Sequence, residues 1–124
     1  MIRYVKRYTR SEIRANPNTL YVFGDNLERR GLGGQAKECR GEPNAVGIPT
    51  KRSPSMAESS FLSDADFEEV RPIIQAAFRK LASYDGPIVW PEDGVGTGLA
   101  QLPQRAPRIA AFIDRCFEHF KNTR

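Results

Sequence analysis

The sequence predicts an α/β protein: a three-layer α/β/α sandwich with a mostly parallel, mixed central sheet. Short runs of strand-favouring residues alternate along the chain with segments in which apolar residues recur at helical spacing. A sheet covered by helices on both faces requires this order. Two of the strands lead directly into glycine-rich loops and then into helices. The 124 residues suffice for a core that buries roughly two-thirds of the unfolded surface, so we expect a single domain over residues 1–124.

Four strands are predicted. Thr19 to Phe23 is a continuous run of apolar or β-branched residues, which is typical of a central strand that is buried on both faces. Ile2 to Tyr8 alternates apolar and basic residues, which favours an edge strand with one wet face. Asn44 to Lys51 is the third strand. Ile88 to Trp90 is the fourth, and Pro91 ends it.

Helices are expected between and after these strands. A short turn from Ser11 to Ala15 begins at a capping serine, and a second short helix runs from Gln35 to Arg40. A long helix covers about Asp66 to Ser83, because its apolar residues recur at steps of three and four. The last helix begins near Pro103 or Pro107 and continues to about Lys121. Its apolar stripe predicts core packing for Ile109, Phe112, Ile113, Cys116, Phe117 and Phe120.

Composition excludes several classes of protein. There is no run of 18 apolar residues and no apolar block of a signal peptide near the N-terminus, so we expect a cytoplasmic protein without a membrane span. The one histidine, His119, lies on the last helix, and the two cysteines, Cys39 and Cys116, lack metal-binding spacing. We therefore expect no histidine-based triad, no metal and no cofactor. Burial in the core is the favoured interpretation of Cys39 over a reactive thiol.

Polar or glycine-rich segments follow three of the predicted strands. They are Gly24 to Asn26 with Gly31 to Gln35, then Pro49 to Lys51, then Asp93 to Gly98. Parallel strands bring their carboxyl ends to one edge of a sheet, where ligands bind in open α/β folds. Glycine leaves backbone amides uncovered, so such loops can surround an anion. The alternative is that these glycines serve only the geometry of tight turns.

The order of these blocks resembles the macrodomain family, whose members bind ADP-ribose. Val22 to Asn26 is similar to the family's strand that ends in an asparagine turn, and Gly31 to Ala36 to its first glycine-rich loop. Ile88 to Gly98 resembles the late strand with its phosphate loop. The resemblance covers about residues 19–51 and 86–117. Two segments, Ile48 to Arg52 and Gly96 to Leu99, look more like the branch that removes terminal ADP-ribose from proteins. The chain is also similar to short phage and bacterial proteins that have the blocks Phe23 to Asn26 and Gly94 to Leu99.

The resemblance implies a ligand-binding set at the carboxyl edge. Asp25 would accept a hydrogen bond from the adenine amino group or a ribose hydroxyl, and Asn26 would line the distal ribose. The loop amides would bind the pyrophosphate. The whole set is Gly24, Asp25, Asn26, Gly33, Gly34, Gln35, Thr50, Lys51, Gly94, Val95, Gly96, Thr97 and Gly98. The plain alternatives are that Asp25 caps a turn through its own backbone and that Lys51 is a solvated surface residue.

Catalysis is predicted less directly. In the branch that removes terminal ADP-ribose, a lysine forms an adduct with the sugar and an aspartate assists. Ala100 stands where that aspartate would be. Lys37 lies near the region of the lysine, and Asp93, beside the second glycine loop, is the candidate acid or base. The resemblance therefore leaves open whether the protein is an ADP-ribosyl hydrolase or a binding module.

Two other functions stay open. The net charge is +4, and 14 of the 19 basic residues are arginine, which suits phosphate recognition. A nucleic-acid or protein-partner module would use the basic N-terminal segment, with Tyr4 and Tyr8 interleaved among Arg3, Lys6, Arg7, Arg10 and Arg14. A phage or plasmid protein that acts on nucleotide signals would use the same pocket as ADP-ribose. The sequence does not predict the oligomeric state.

Overall fold

One four-stranded sheet, in which every strand is parallel to its neighbours, forms the centre of the protein. The computed structural model describes residues 1–124. The strands are β1 (Ile2–Val5), β2 (Leu20–Asn26), β3 (Ala45–Lys51) and β4 (Ile88–Pro91), in the spatial order β1-β4-β2-β3. The predicted α/β class is confirmed, as are the inner position of β2 and the edge position of β1. The predicted mixed character of the sheet is limited to an isolated antiparallel bridge between Lys51 and Phe61.

Five helices cover the two faces of the sheet. They are α1 (Arg10–Ala15), α2 (Ala36–Cys39), α3 (Phe67–Ala82), α4 (Leu102–Arg105) and α5 (Pro107–Asn122). Single 3₁₀ turns at Glu58–Ser60 and Asp64–Asp66 precede α3. None of these helices combines the length and the apolar character that a membrane-spanning segment requires.

The alternation of side chains along β2 divides the core into two clusters. Leu20 and Val22 point to the face that α3 and α5 cover, whereas Tyr21 and Phe23 point to the face of α1 and α2. Both sets are buried, as expected for a strand between two helical layers, because successive side chains of a strand point to opposite faces. The predicted stripes of α3 and α5 supply the larger cluster, which includes Trp90.

The ends of two strands lie three residues from the sequence-based prediction. β2 continues through Gly24 to Asn26, a stretch that was predicted to be loop, because β3 pairs with it there. β1 ends at Val5 rather than at Tyr8. The Tyr8 ring is buried, and its hydroxyl donates a hydrogen bond to the carbonyl of Val22. The chain therefore turns under the sheet after β1 instead of continuing along its edge.

The cap of α1 also differs from the prediction. Thr9, not Ser11, precedes the first turn: its hydroxyl accepts a hydrogen bond from the Glu12 amide at 3.1 Å, and the Glu12 carboxylate accepts from the Thr9 amide at 3.4 Å. This reciprocal arrangement is a capping box. The helix accordingly starts one residue before Ser11, at Arg10.

Candidate ligand-binding site

A cavity of about 230 Å³ lies where the carboxyl ends of β2, β3 and β4 meet. Every residue of the predicted ligand-binding set lines this cavity. The convergence follows from the parallel sheet, because the strand ends and the loops after them share one edge. Arg40, Met56 and Leu99 also line the cavity and are not among the predicted ligand-binding residues.

Turn geometry requires glycine at two positions of the second glycine loop but not at a third. Gly94 and Gly96 have φ values of +83° and +79°, a region that other residues seldom adopt. A Cβ atom on Gly96 would lie 2.9 Å from the Cβ of Leu102. Gly98 has neither constraint: its φ is not in the left-handed region, and an added Cβ would meet no atom within 4 Å. The fold itself therefore does not require glycine at position 98, which lines the cavity.

Asn26 carries an unpaired hydrogen-bond acceptor at the cavity. The residue is 8% exposed. Its Nδ2 donates to the carbonyl of Arg30 at 2.7 Å, but its Oδ1 is buried without a hydrogen-bond partner. A buried polar atom of this kind costs about 1–3 kcal/mol when it stays unsatisfied. Asn26 lines the cavity, so a ligand hydroxyl there would satisfy this acceptor once a side-chain movement uncovers it.

Lys51 brings a buried positive charge to the same cavity. The residue is 8% exposed, and its Nζ donates to the carbonyl of Ser55 and lies 4.7 Å from the centroid of the Phe61 ring. It forms no ion pair. Burial lowers the pKa of Lys51, and the nearby Arg105 guanidinium lowers it further. Lys51 is therefore not a solvated surface residue, and a bound anion would supply its missing counter-charge.

The Asp25 carboxylate is engaged by protein groups. Its oxygens accept hydrogen bonds from Nη1 and Nη2 of Arg40 at 3.0 and 2.7 Å, and Oδ1 also accepts from the Asn26 amide at 2.8 Å. Arg40 in turn donates to the carbonyls of Gly31 and Arg30. The pair thus holds the first glycine loop against the end of β2. The ligand contact suggested for Asp25 stays a prediction. The alternative, a turn cap, is not what the structure has, because Asp25 lies within β2 and pairs with Arg40.

Gln35 is likewise engaged with the protein. Its Nε2 donates to the carbonyl of Tyr8 at 2.7 Å, and its Oε1 accepts from the Tyr8 amide at 3.2 Å. The side chain therefore fixes the segment after β1 to the first glycine loop. Its contribution to the cavity is to position that loop.

The two residues proposed for catalysis lie outside the cavity lining. Lys37 is exposed on α2, and Asp93 is exposed at the start of the second glycine loop, where its carbonyl accepts a hydrogen bond from the Thr97 hydroxyl at 3.0 Å. Asp25 is the one carboxylate among the lining residues, and Lys51 is the one lysine. The structure therefore does not bring Lys37 and Asp93 together at the cavity.

The basic N-terminal segment is divided by the fold. Tyr8 is buried, and Arg10 and Arg14 both pair with Glu42. The predicted set of basic residues with interleaved tyrosines is therefore wrong as a continuous face. Arg3, Lys6 and Arg7 remain exposed and form no ion pairs.

Cys39 is fully buried beside Tyr8 in the smaller core cluster. Burial raises the pKa of its thiol to about 12. A thiol of this kind is a poor nucleophile near neutral pH, which agrees with the core interpretation of this residue.

The fold and the cavity define an α/β protein with a glycine-lined depression at the carboxyl edge of a parallel sheet. The chain belongs to DUF7831, a family of unknown function whose model matches residues 3–116. No curated protein and no solved structure gives a significant match.

Proposed function

We propose that the protein binds ADP-ribose or a related nucleotide diphosphate in the cavity at the carboxyl edge. One observation carries this proposal: a single glycine-lined cavity is lined both by Asn26, whose buried Oδ1 has no hydrogen-bond partner, and by Lys51, whose buried cation has no counter-charge. A sugar diphosphate supplies the two matching groups, a hydroxyl donor and an anion. Backbone amides of the glycine loops add further donors for the diphosphate.

The size of the cavity suggests which part of the ligand it holds. At about 230 Å³ it is smaller than the ~300–1,000 Å³ that is usual for drug-sized ligands. It therefore suits a ribose with its phosphates, and the nucleoside end would lie across the rim. Met56 and Leu99 line the cavity and are more than half exposed, so a purine would cover apolar side chains there.

Calorimetric titration with ADP-ribose tests binding, with AMP, ADP and NAD as comparators. We expect 1:1 binding of ADP-ribose in the micromolar range. Gly98→Val should weaken it at least tenfold, because position 98 lines the cavity and an added Cβ meets no protein atom within 4 Å that would disturb the loop. Arg7→Ala is the control that should leave binding unchanged. Absence of heat with all four nucleotides would refute the proposal.

Bond cleavage is a further step, and the lysine that the geometry offers for it is Lys51 rather than Lys37. Its neutral amine would attack the anomeric carbon of a terminal ADP-ribose and displace the group attached there, which leaves with the proton of the amine. With free ADP-ribose, the same amine would condense with the aldehyde carbon of the opened terminal ribose to form an imine, with release of water. Reduction with cyanoborohydride in the presence of ADP-ribose would then leave a stable adduct on Lys51, located by peptide mass spectrometry. An adduct on Lys37 alone, or the same labelling after Lys51→Arg, would contradict this assignment.

Nucleic-acid binding is the second candidate, because Arg3, Lys6 and Arg7 are exposed and unpaired. A salt series with a single-stranded oligonucleotide tests it. This function would be favoured if the affinity fell steeply as the salt concentration rose and if Arg7→Glu also lowered the affinity. Salt-independent binding of a small nucleotide, unaffected by Arg7→Glu, would favour the first proposal.

A further inference from the structure

A second cavity, larger than the first, follows the outer side of β3. Its volume is about 400 Å³, and it is bounded by β3 and by residues of α3 that include Ile73, Ala76 and Lys80. β3 is the edge strand on this side of the sheet. We call this cavity the β3 groove. It shares only Asp25, Asn26 and Arg40 with the candidate ligand site.

The open edge of β3 presents backbone groups to the groove. The Tyr21 amide donates to the carbonyl of Asn44 at 2.8 Å, so alternate residues from Asn44 onward direct their peptide groups toward β2. Ala45, Gly47 and Pro49 direct theirs outward. The Ala45 amide is used by the carbonyl of Glu42 at 3.2 Å, and Pro49 has no N–H. Pro49 is also buried, whereas Ala45 and Gly47 are partly exposed. The edge therefore offers two carbonyl acceptors, those of Ala45 and Gly47, and one amide donor, that of Gly47.

The charge of the groove is positive once its internal ion pairs are considered. Asp25 is paired with Arg40, and Glu42 is paired with Arg10 and Arg14. The other two charged lining residues, Arg29 and Lys80, are exposed and form no ion pair. A second copy of the chain at this edge would place like charges against each other, whereas an acidic segment would neutralise them.

We propose that the β3 groove binds an extended, acidic peptide segment of another protein, which adds as a fifth strand beside β3. Residues 45–49 give a contact of roughly five residues, or about 17 Å. Small side chains at Ala45, Ala76 and Ala77 leave room for the side chains of the added strand, whereas the Asp25 side chain fills the space beside Gly47. Main-chain hydrogen bonds would provide affinity, and Arg29 and Lys80 would select acidic sequences. Because Pro49 interrupts the row of donors, pairing centres on Gly47.

The test uses an acetylated and amidated hexapeptide of alternating threonine and glutamate, titrated to millimolar concentration into the ¹⁵N-labelled protein. We expect saturable shifts of the Gly47 amide resonance. Lys80→Glu and Arg29→Glu should each weaken binding about threefold, as exposed charge pairs do. Arg79→Glu is the matched control, since Arg79 is exposed on the same helix, forms no ion pair and does not line the groove. It should change binding by less than either groove variant.

Several results would overturn the proposal. The first is an unshifted Gly47 amide at saturating peptide. The second is equal binding of the hexapeptide in which lysine replaces glutamate. The third is an equal effect of Arg79→Glu and Lys80→Glu, which would indicate only a response to net charge. Self-association that shifts Gly47 without peptide would assign the edge to a second copy of this chain instead. None of these outcomes depends on ADP-ribose binding, so the two proposals fail separately.

Discussion

Gly96→Ala should destabilise the protein far more than Gly98→Ala, although the two positions lie in the same loop and line the same cavity. At Gly96, φ is +79°, and an added Cβ would come within 2.9 Å of the Leu102 Cβ and 3.1 Å of the Thr50 Cγ2. Both neighbours are buried, so neither can move without cost. The left-handed backbone costs an alanine about 1–2 kcal/mol, and overpacking adds about 1–3 kcal/mol.

The expected loss is therefore about 2–5 kcal/mol of unfolding free energy, a large part of the ~5–15 kcal/mol that stabilises a typical domain. At Gly98 the added methyl meets no atom within 4 Å. There we expect a change within about 0.5 kcal/mol, or a small gain from the reduced entropy of the unfolded chain. The same argument makes Gly98 the better position for blocking ligand binding, because a substitution there leaves the loop intact.

Urea unfolding followed by tryptophan fluorescence measures both variants. Trp90 is the one tryptophan, and it stacks on Phe117 with ring centroids 4.2 Å apart, so its emission reports on the core. Equal stabilities of the two variants would refute the reasoning. So would a Gly96→Ala variant as stable as the unmodified protein, because the loop would then not be held against Leu102 and Thr50.

Three further predictions concern buried or paired groups. Arg40→Met should lower the unfolding free energy by about 2–4 kcal/mol, because it leaves the Asp25 carboxylate, which is 9% exposed, without its partner. A loss below about 0.5 kcal/mol in urea unfolding would contradict this. Stability should fall above about pH 9, because the unfolded Cys39 thiol loses its proton near its ordinary pKa of 9.0, whereas the folded thiol keeps it until about 12. In unfolding experiments at alkaline pH, Cys39→Ala should reduce the decrease of stability with pH. An unchanged decrease would show that the Cys39 thiol is not its cause. Hydrogen bonds from Arg14 and Arg10 hold the pKa of Glu42 below its ordinary 4.5. The stability that these hydrogen bonds provide is therefore present above pH 4.5 and is lost as the pH falls through the lowered pKa of Glu42. Glu42→Gln should remove that part of the acid dependence, and an identical acid profile in the variant would count against the pairing.

The sequence by itself determined which loops form the candidate site. Apolar runs identified β2 and β4, and the glycine blocks after them were visible without coordinates. Their convergence with the end of β3 needed no knowledge of side-chain packing, because the carboxyl ends of parallel strands share one edge. The helical stripes of α3 and α5 were similarly evident, since they repeat within a few residues along the chain.

Tertiary structure decided the state of each polar side chain at that edge. Asp25 is engaged by Arg40, 15 residues away, and no local pattern in the sequence indicates this partner. Lys51 is buried and approaches the ring of Phe61 because that segment returns to form a bridge with it. Burial and pairing of this kind depend on long-range contacts, whereas sequence periodicity reports only on neighbours within a few residues.

The β3 groove also depends on tertiary structure. The sequence marks Ala45 to Lys51 as a strand, but only the strand order β1-β4-β2-β3 leaves its outer side without a neighbour. The turn of Tyr8 beneath the sheet, which divides the basic N-terminal segment, has the same origin. The Tyr8 hydroxyl donates a hydrogen bond to the carbonyl of Val22 on β2. The path of the chain after β1 therefore follows a contact across the fold, whereas the local alternation of residues favoured a longer β1.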